Sequence, residues 1–261
     1  MANPKLLACD LSVPTYTWSE GPNTSYPVSN LKNGYPDIYS QSLNTDQNQW
    51  FVIDRGSALP ADTLIVDGHN WSGIADTSIN LQYNTPDDGT WGTPTNINAD
   101  ITPASDNVFA VSFNSVSKRY IRVVFGSTVA LTAAPKIGNI YLGTALTFET
   151  TQTYGYFTNM PDFSEVTVNS RALDGRARSA MVAGPIRKHK INFDQGNVQT
   201  DTLKTAYLTF IETAKMNPFY YIDNNSAIYC VKWARGFNPY EAFRYNQNKI
   251  PDLQMESVLA A

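Results

Sequence analysis

The sequence predicts a mainly β protein, with an all-β sandwich in the N-terminal half and an α+β domain after it. Three observations carry this. Charged residues make up only 16% of the 261-residue chain, so the polar surface must come from Asn, Thr, Ser, Gln and Tyr, a palette that favours strands and turns. Short apolar segments of period two recur between turn clusters through the first half. A helical period of three to four is sustained over several turns in one segment alone, in the second half.

In chain order, WFVID (50–54), TLIVDG (63–68), SINLQYN (78–84), VFAVSF (108–113), RYIRVVF (119–125) and KIGNIYLG (136–143) read as strands. SINLQYN sets Ile79, Leu81 and Tyr83 on one face and Asn80, Gln82 and Asn84 on the other. RYIRVVF sets Tyr120, Arg122 and Val124 against Ile121, Val123 and Phe125. TPDDGTWGTP (85–94) is a turn cluster. The polar, aromatic stretch 148–163 has no period and marks the boundary between a domain at 1–148 and one at 149–261. Beyond it, IRKHKINFD (186–194) reads as a strand. The segment 200–215 reads as the helix, with an apolar stripe of Leu203, Ala206, Tyr207, Phe210, Ile211 and Ala214. Thr200 or Asp201 caps its start, and Asn217-Pro218 closes it. FYYID, AIYCVKWA (227–234) and LQMESVL (253–259) follow as strands, the first two joined by an Asp-Asn-Asn-Ser turn.

The net charge of −4 argues against general nucleic-acid binding, and no apolar run approaches the ~20 residues of a membrane span. The halves carry −6 and +2, a second sign of two domains. Cys9 and Cys230 have neither metal-ligand spacing nor the numbers for a disulfide framework, and read as buried free thiols. The opening MANPKLLACDLS lacks the apolar core of a signal peptide, so the expectation is synthesis in a cytosol.

Some stretches resemble a known family. "YPVSNLKNGYPDIY" (26–39), "WFVIDRGSALPADTLIVDGHNWS" (50–72) and "RYIRVVF…PKIGNIYLG" (119–143) are similar, in order, to the discoidin-like, galactose-binding jelly-roll domains found in bacteriophage tail proteins. The resemblance implies a jelly-roll β-sandwich whose end loops can hold a ligand, often a glycan. More loosely, "IRKHKINFD", the helix 200–215, "NPFYYID", "AIYCVKWA" and "DLQMESVL" resemble the distal-tail and tail-tube group of phage proteins. That implies a β-sandwich with one flanking helix, assembling into a ring around a tail axis. Neither resemblance brings a catalytic residue or a cofactor.

The candidate glycan contacts are His69, Asn70 and Trp71, in the loop after the 63–68 strand, and Trp91 in the DGTWGTP turn. Trp71 either stacks on a sugar or caps the core; Asn70 either bonds a hydroxyl or its own turn; Trp91 either contacts a ligand or folds back on the sandwich. Enzymatic chemistry is not expected. No G-x-S-x-G elbow is present, two histidines make no three-histidine metal site, and no pair of acids is marked out. Asp37 and Asp46 give only a sparse oxygen set for calcium, so no metal is expected.

The basic stretch 171–190, with Arg176 and Arg178, and the aromatic arm 233–249, with Arg235, Phe237, Tyr240, Phe243 and Arg244, are candidate subunit contacts. The alternative for the arm is packing on its own domain. The leading expectation is a non-enzymatic virion protein of a phage tail tip or baseplate. It would form a homo-oligomeric ring, six copies favoured over three, that joins tube, tip and tape-measure proteins. The second expectation is a host-recognition protein whose N-terminal domain binds a host-surface glycan.

Overall fold

The computed structural model describes residues 3–75, 78–148, 163–171, 177–191, 201–215, 217–223, 226–233, 237–240 and 253–257; for 163–171 and 177–191 it describes the backbone alone. The chain is mainly β and divides into two compact units. One is Leu7–Ala145; the other joins Met1–Leu6 to Leu146–Leu259. The division thus runs at 145/146, and the first six residues return to the second unit. The reason is local pairing: β1 (Lys5–Leu7) lies antiparallel to β10 (Leu146–Thr147), and the Phe148 amide donates to the Pro4 carbonyl at 3.2 Å.

In the first unit, β2 (Thr15–Trp18), β4 (Gln49–Asp67), β7 (Phe109–Gly126), β5 (Ser78–Tyr83) and β6 (Thr95–Ile101) lie side by side in that order, with β9 (Asn139–Gly143) paired to the far end of β4. A short pair, β3 (Ser40–Gln41) with β8 (Lys136–Ile137), stands apart from it. The segments 50–54 and 63–68, read as separate strands, form one strand, and so do 108–113 and 119–125. These two long strands run antiparallel, with register breaks between Asp54 and Leu59 and between Ala61 and Thr63. Arg55, only 6% exposed, secures the first break. Its guanidinium donates to the carbonyls of Leu59, Pro60 (3.1 Å) and Lys118 (3.3 Å). β6 escaped the sequence reading because Asn96, Asn98 and Asp100, types depleted in strands, alternate with its apolar residues.

The core follows from alternation. Phe51 and Ile53, Ile79 and Leu81, and Ile121, Val123 and Phe125 point inward from β4, β5 and β7. They pack with Trp18, Leu64, Val66, Trp71, Ile137 and Ile140. Trp18 donates its indole N–H to Ser40 Oγ at 3.0 Å, which satisfies the polar atom of a large buried side chain. Cys9 is half-buried as a residue with its sulfur turned inward; it donates to the Leu142 carbonyl at 3.6 Å, and burial of the thiol pushes its pKa up to about 12. Cys230 is also a free, partly buried thiol.

In the second unit the sheet order is β10, β1, β13 (Phe219–Ile222), β14 (Ile228–Trp233), β15 (Leu253–Ser257), β12 (Ala177–Ile191) and β11 (Phe163–Arg171). The helix α1 spans Asp201–Ala214 and buries Leu203, Tyr207, Phe210, Ile211 and Ala214. Ala206, placed in the stripe by spacing, is exposed at its edge. Phe210 meets Phe219 edge to face at 5.3 Å and Trp233 at 6.1 Å. The β13–β14 turn forms as read: the Ser226 amide donates to the Asp223 carbonyl (3.0 Å), and the Ala227 amide to the Asp223 carboxylate (2.8 Å). Thr200, the other candidate cap, lies outside the described residues.

Two glycines allow the opening loop of the first unit to close on the sheet. A Cβ on Gly138 would fall 2.0 Å from the Pro36 carbonyl oxygen, and one on Gly68 2.1 Å from the same atom. Beside them, Asn139 donates to the Gly34 carbonyl at 3.0 Å. Gly138→Ala is therefore expected to lower the unfolding free energy by about 2–3 kcal/mol through overpacking. Urea denaturation monitored by tryptophan fluorescence measures this, and an unchanged midpoint would show that the Pro36 loop yields freely.

Candidate functional site

The loop after β4 is held by its own side chains. The Trp71 amide donates to His69 Nδ1 at 3.1 Å, so the ring proton sits on Nε2, which donates to the Asn107 carbonyl at 2.7 Å. His69 is 2% exposed, and burial holds its pKa below the ordinary histidine value. Both nitrogens are thus used in holding the loop. Asn70 donates from Nδ2 to the Ala134 carbonyl (3.0 Å) and accepts the Lys136 amide on Oδ1 (2.9 Å), so it ties the loop to β8 rather than to its own turn. Trp71 is 1% exposed; it donates to the Lys136 carbonyl at 3.0 Å and packs against Phe109 and, edge to face, Phe125. Of the two roles open to it, Trp71 takes the core one, and its ring has no face open to a sugar.

Trp91 folds back on the sheet instead, half-buried against Arg122 on its outer face. The turn that carries it is anchored to β7 by Asp87, whose carboxylate accepts the amides of Arg119 (2.7 Å) and Tyr120 (2.9 Å). Asp88 accepts the Thr90 amide (2.9 Å) and hydroxyl (2.7 Å), and Asn84 donates to the Thr90 carbonyl (2.7 Å). Gly89, at φ +84°, lies against the Tyr120 ring, where a Cβ would stand 3.3 Å from a ring carbon. These contacts bring the half-buried Trp91 to Arg122, whose guanidinium carbon lies 4.4 Å from the indole centroid.

Arg122 sits on the outer face of the sheet, because Ile121 and Val123 on either side of it point into the core. Cross-strand register puts Val52, Arg122, Gln82 and Asn96 in one row across β4, β7, β5 and β6. Arg122 Nε donates to Gln82 Oε1 at 3.0 Å, and Gln82 Nε2 donates to Asn96 Oδ1 at 2.7 Å. Trp50, two residues from Val52 on the same face, places its ring 5.3 Å from the Arg122 guanidinium carbon. Burial lowers the Arg122 pKa, and no carboxylate opposes that shift. Its two terminal amino groups have no hydrogen-bond partner among the described residues. Arg119, nearby, has a carboxylate partner: Asp54 accepts from Nε at 2.7 Å and from an amino group at 2.9 Å, which lowers the Asp54 pKa.

Trp50, Trp91, Arg122, Gln82 and Asn96 therefore form one face with two indoles, an incompletely bonded guanidinium and an amide pair. Alternation alone assigns Arg122 and Gln82 to the polar sides of their strands. It does not say that those sides share a face with Trp50, because pairing across β4, β7, β5 and β6 decides that.

The candidate subunit contacts fall in the second unit. Phe237 is half-buried, its ring 5.6 Å from Trp233. Tyr240 donates its hydroxyl to Glu212 at 2.7 Å, which pushes its pKa up to about 12, and Lys215 lies 5.9 Å from its ring. These two thus pack on their own unit. Arg178 lies on β12 opposite Ser170, its side chain outside the described residues. Arg176, Arg235, Phe243 and Arg244 also lie outside them.

No protein-family model matches the chain, and no curated protein matches it. Solved structures do show similarity over about half of it. A family 32 carbohydrate-binding module from Clostridium perfringens NanJ, in complex with galactose, is 14% identical, with 52% of this chain and 98% of that one covered and a TM-score of 0.42. A second C. perfringens module, in complex with GalNAc-β-1,3-galactose, is 12% identical, with 52% and 99% covered and a TM-score of 0.43. Chitosan-binding module 1 of a chitosanase/glucanase from Paenibacillus sp. IK-5 is 18% identical, with 51% and 98% covered and a TM-score of 0.42. The N-terminal half is similar to such modules, and at these values the similarity assigns no role to any residue.

The buried imidazole makes a testable demand. Its folded pKa lies below the unfolded value of 6.5, so the unfolded chain takes up the proton first. The stabilising contribution of His69 is whole above about pH 6.5 and is lost as pH falls toward the folded pKa. Thermal midpoints measured from about pH 7 to 5.5 should decline, and the decline should be shallower in His69→Gln, which does not titrate there. Identical slopes in the two proteins would show that His69 is not the titrating group.

Proposed function

We propose that the Leu7–Ala145 unit is a non-enzymatic carbohydrate-binding domain whose ligand lies on the outer sheet face formed by Trp50, Trp91 and Arg122. One observation carries this reading: a guanidinium whose two amino groups have no hydrogen-bond partner among the described residues lies over the rings of two half-buried indoles, with the Gln82–Asn96 amide pair next to it. Indoles offer flat apolar surface to the C–H face of a sugar ring, while guanidinium and amide groups match its hydroxyls. The reading is non-enzymatic because the neighbouring carboxylates are already engaged: Asp54 with Arg119, and Asp87 with the β7 backbone. In the virion setting that the sequence resemblance implies, the domain would recognise a host-surface glycan. The measurement is a glycan array with thermal denaturation in parallel. Trp91→Ala should abolish binding and leave the melting temperature nearly unchanged, whereas Trp71→Ala should cost ~3–5 kcal/mol of stability. Undiminished binding by Trp91→Ala would refute the site.

A ring-forming role in a phage tail tip or baseplate is the second reading. It draws on the resemblance of the C-terminal half, in which charge and aromatic residues cluster at 171–190 and 233–249. It ranks second because Phe237 and Tyr240 are already engaged within their own unit. Native mass spectrometry of the purified chain should give six copies, or three, if the reading holds; a monomer at every concentration would remove it.

A further inference from the structure

The two arginines of β7 differ in one respect. Arg119 meets its own carboxylate through two hydrogen bonds, at 2.7 and 2.9 Å. Arg122, three residues on, meets no carboxylate among the described residues. Its single protein hydrogen bond among the described residues goes to the neutral Gln82 side chain. A guanidinium presents its donors as a planar fork, and the partner that fits that fork best is a carboxylate. Water beside the indoles solvates the charge less well than bulk water does, so an anion gains more from Arg122 than from a freely exposed cation. The unit around it is otherwise acidic: residues 7–145 hold 6 basic and 12 acidic side chains. Attraction of anions here is thus a property of this site and not of the surface at large.

We propose, building on the carbohydrate-binding reading above, that the ligand is an acidic sugar, whose ring carboxylate meets the two free amino groups of Arg122 while its apolar face lies against Trp91 or Trp50. Uronic and sialic acids both supply that chemistry. The indoles favour a sugar over an acidic peptide, since a pyranose ring covers an indole and brings its carboxylate alongside.

Isothermal titration calorimetry of the whole chain tests this with paired probes: oligogalacturonate against its methyl ester, sialyllactose against lactose, and poly-L-glutamate. One acidic sugar should bind roughly tenfold or more tighter than its neutral partner, the worth of a charge-assisted hydrogen bond. The arm that responds identifies the sugar. That preference should shrink in high salt, fall in Arg122→Lys, which keeps the charge but not the fork, and vanish in Arg122→Gln. Equal binding of acidic and neutral partners overturns the proposal and leaves the carbohydrate reading standing. Binding of none of the sugars overturns both. Poly-L-glutamate binding as tightly as the sugars, or an acidic preference that survives in Arg122→Gln, also overturns it. Circular dichroism of each variant confirms that the fold is intact.

Discussion

The antiparallel pairing of Gln49–Asp67 with Phe109–Gly126 is the constraint on which the first unit depends. Successive side chains on a strand point to opposite faces, so one register fixes the inside and the outside together. With Phe51 opposite Val123 and Ile53 opposite Ile121, the inner face is apolar and Trp50, Val52, Arg122 and Val124 all face out. A slip of one residue would bury Arg122 and expose Val123. The energy of the core therefore also specifies the ligand face, and nothing on the outer face need hold the register.

Around that pairing, polar groups are used to fix loops. Arg55 spends its donors on three backbone carbonyls at the register break. Asp87 accepts two β7 amides beyond the end of the β5 pairing, where the ladder offers them no acceptor. The outcome for function is indirect: Asp87 touches no proposed ligand group, yet it positions the turn that brings Trp91 to Arg122. His69 and Asn70 do similar work in the loop between β4 and β5. The residues that look most chemical in the sequence are thus the ones most occupied with the backbone.

The second unit follows a different logic. There a helix lays Tyr207, Phe210 and Ile211 on a sheet, and Phe219 and Trp233 complete an aromatic cluster with Phe210. Phe237 extends that cluster, and Tyr240 reaches the helix through Glu212. Aromatic residues gathered in one stretch can serve an interface or a local core equally well, and composition does not separate the two.

By itself the sequence determined the β class, a helix near 200–215, the β13–β14 turn and the inward faces of β5 and the 119–125 part of β7, because period and turn chemistry are local properties. It also determined that Arg122 and Gln82 lie opposite the apolar residues of their strands. Tertiary structure decided the rest. It joined two pairs of short strands into two long ones, since a register break held by Arg55 is a contact between distant carbonyls. It sent Trp71 inward and Trp91 outward, although both follow glycine-containing turns, because only Trp71 finds Phe109, Phe125 and the Lys136 carbonyl around it. And it assembled Trp50, Gln82, Trp91, Asn96 and Arg122 on one face, because which strands become neighbours is settled by burial of the whole core and not by any one segment.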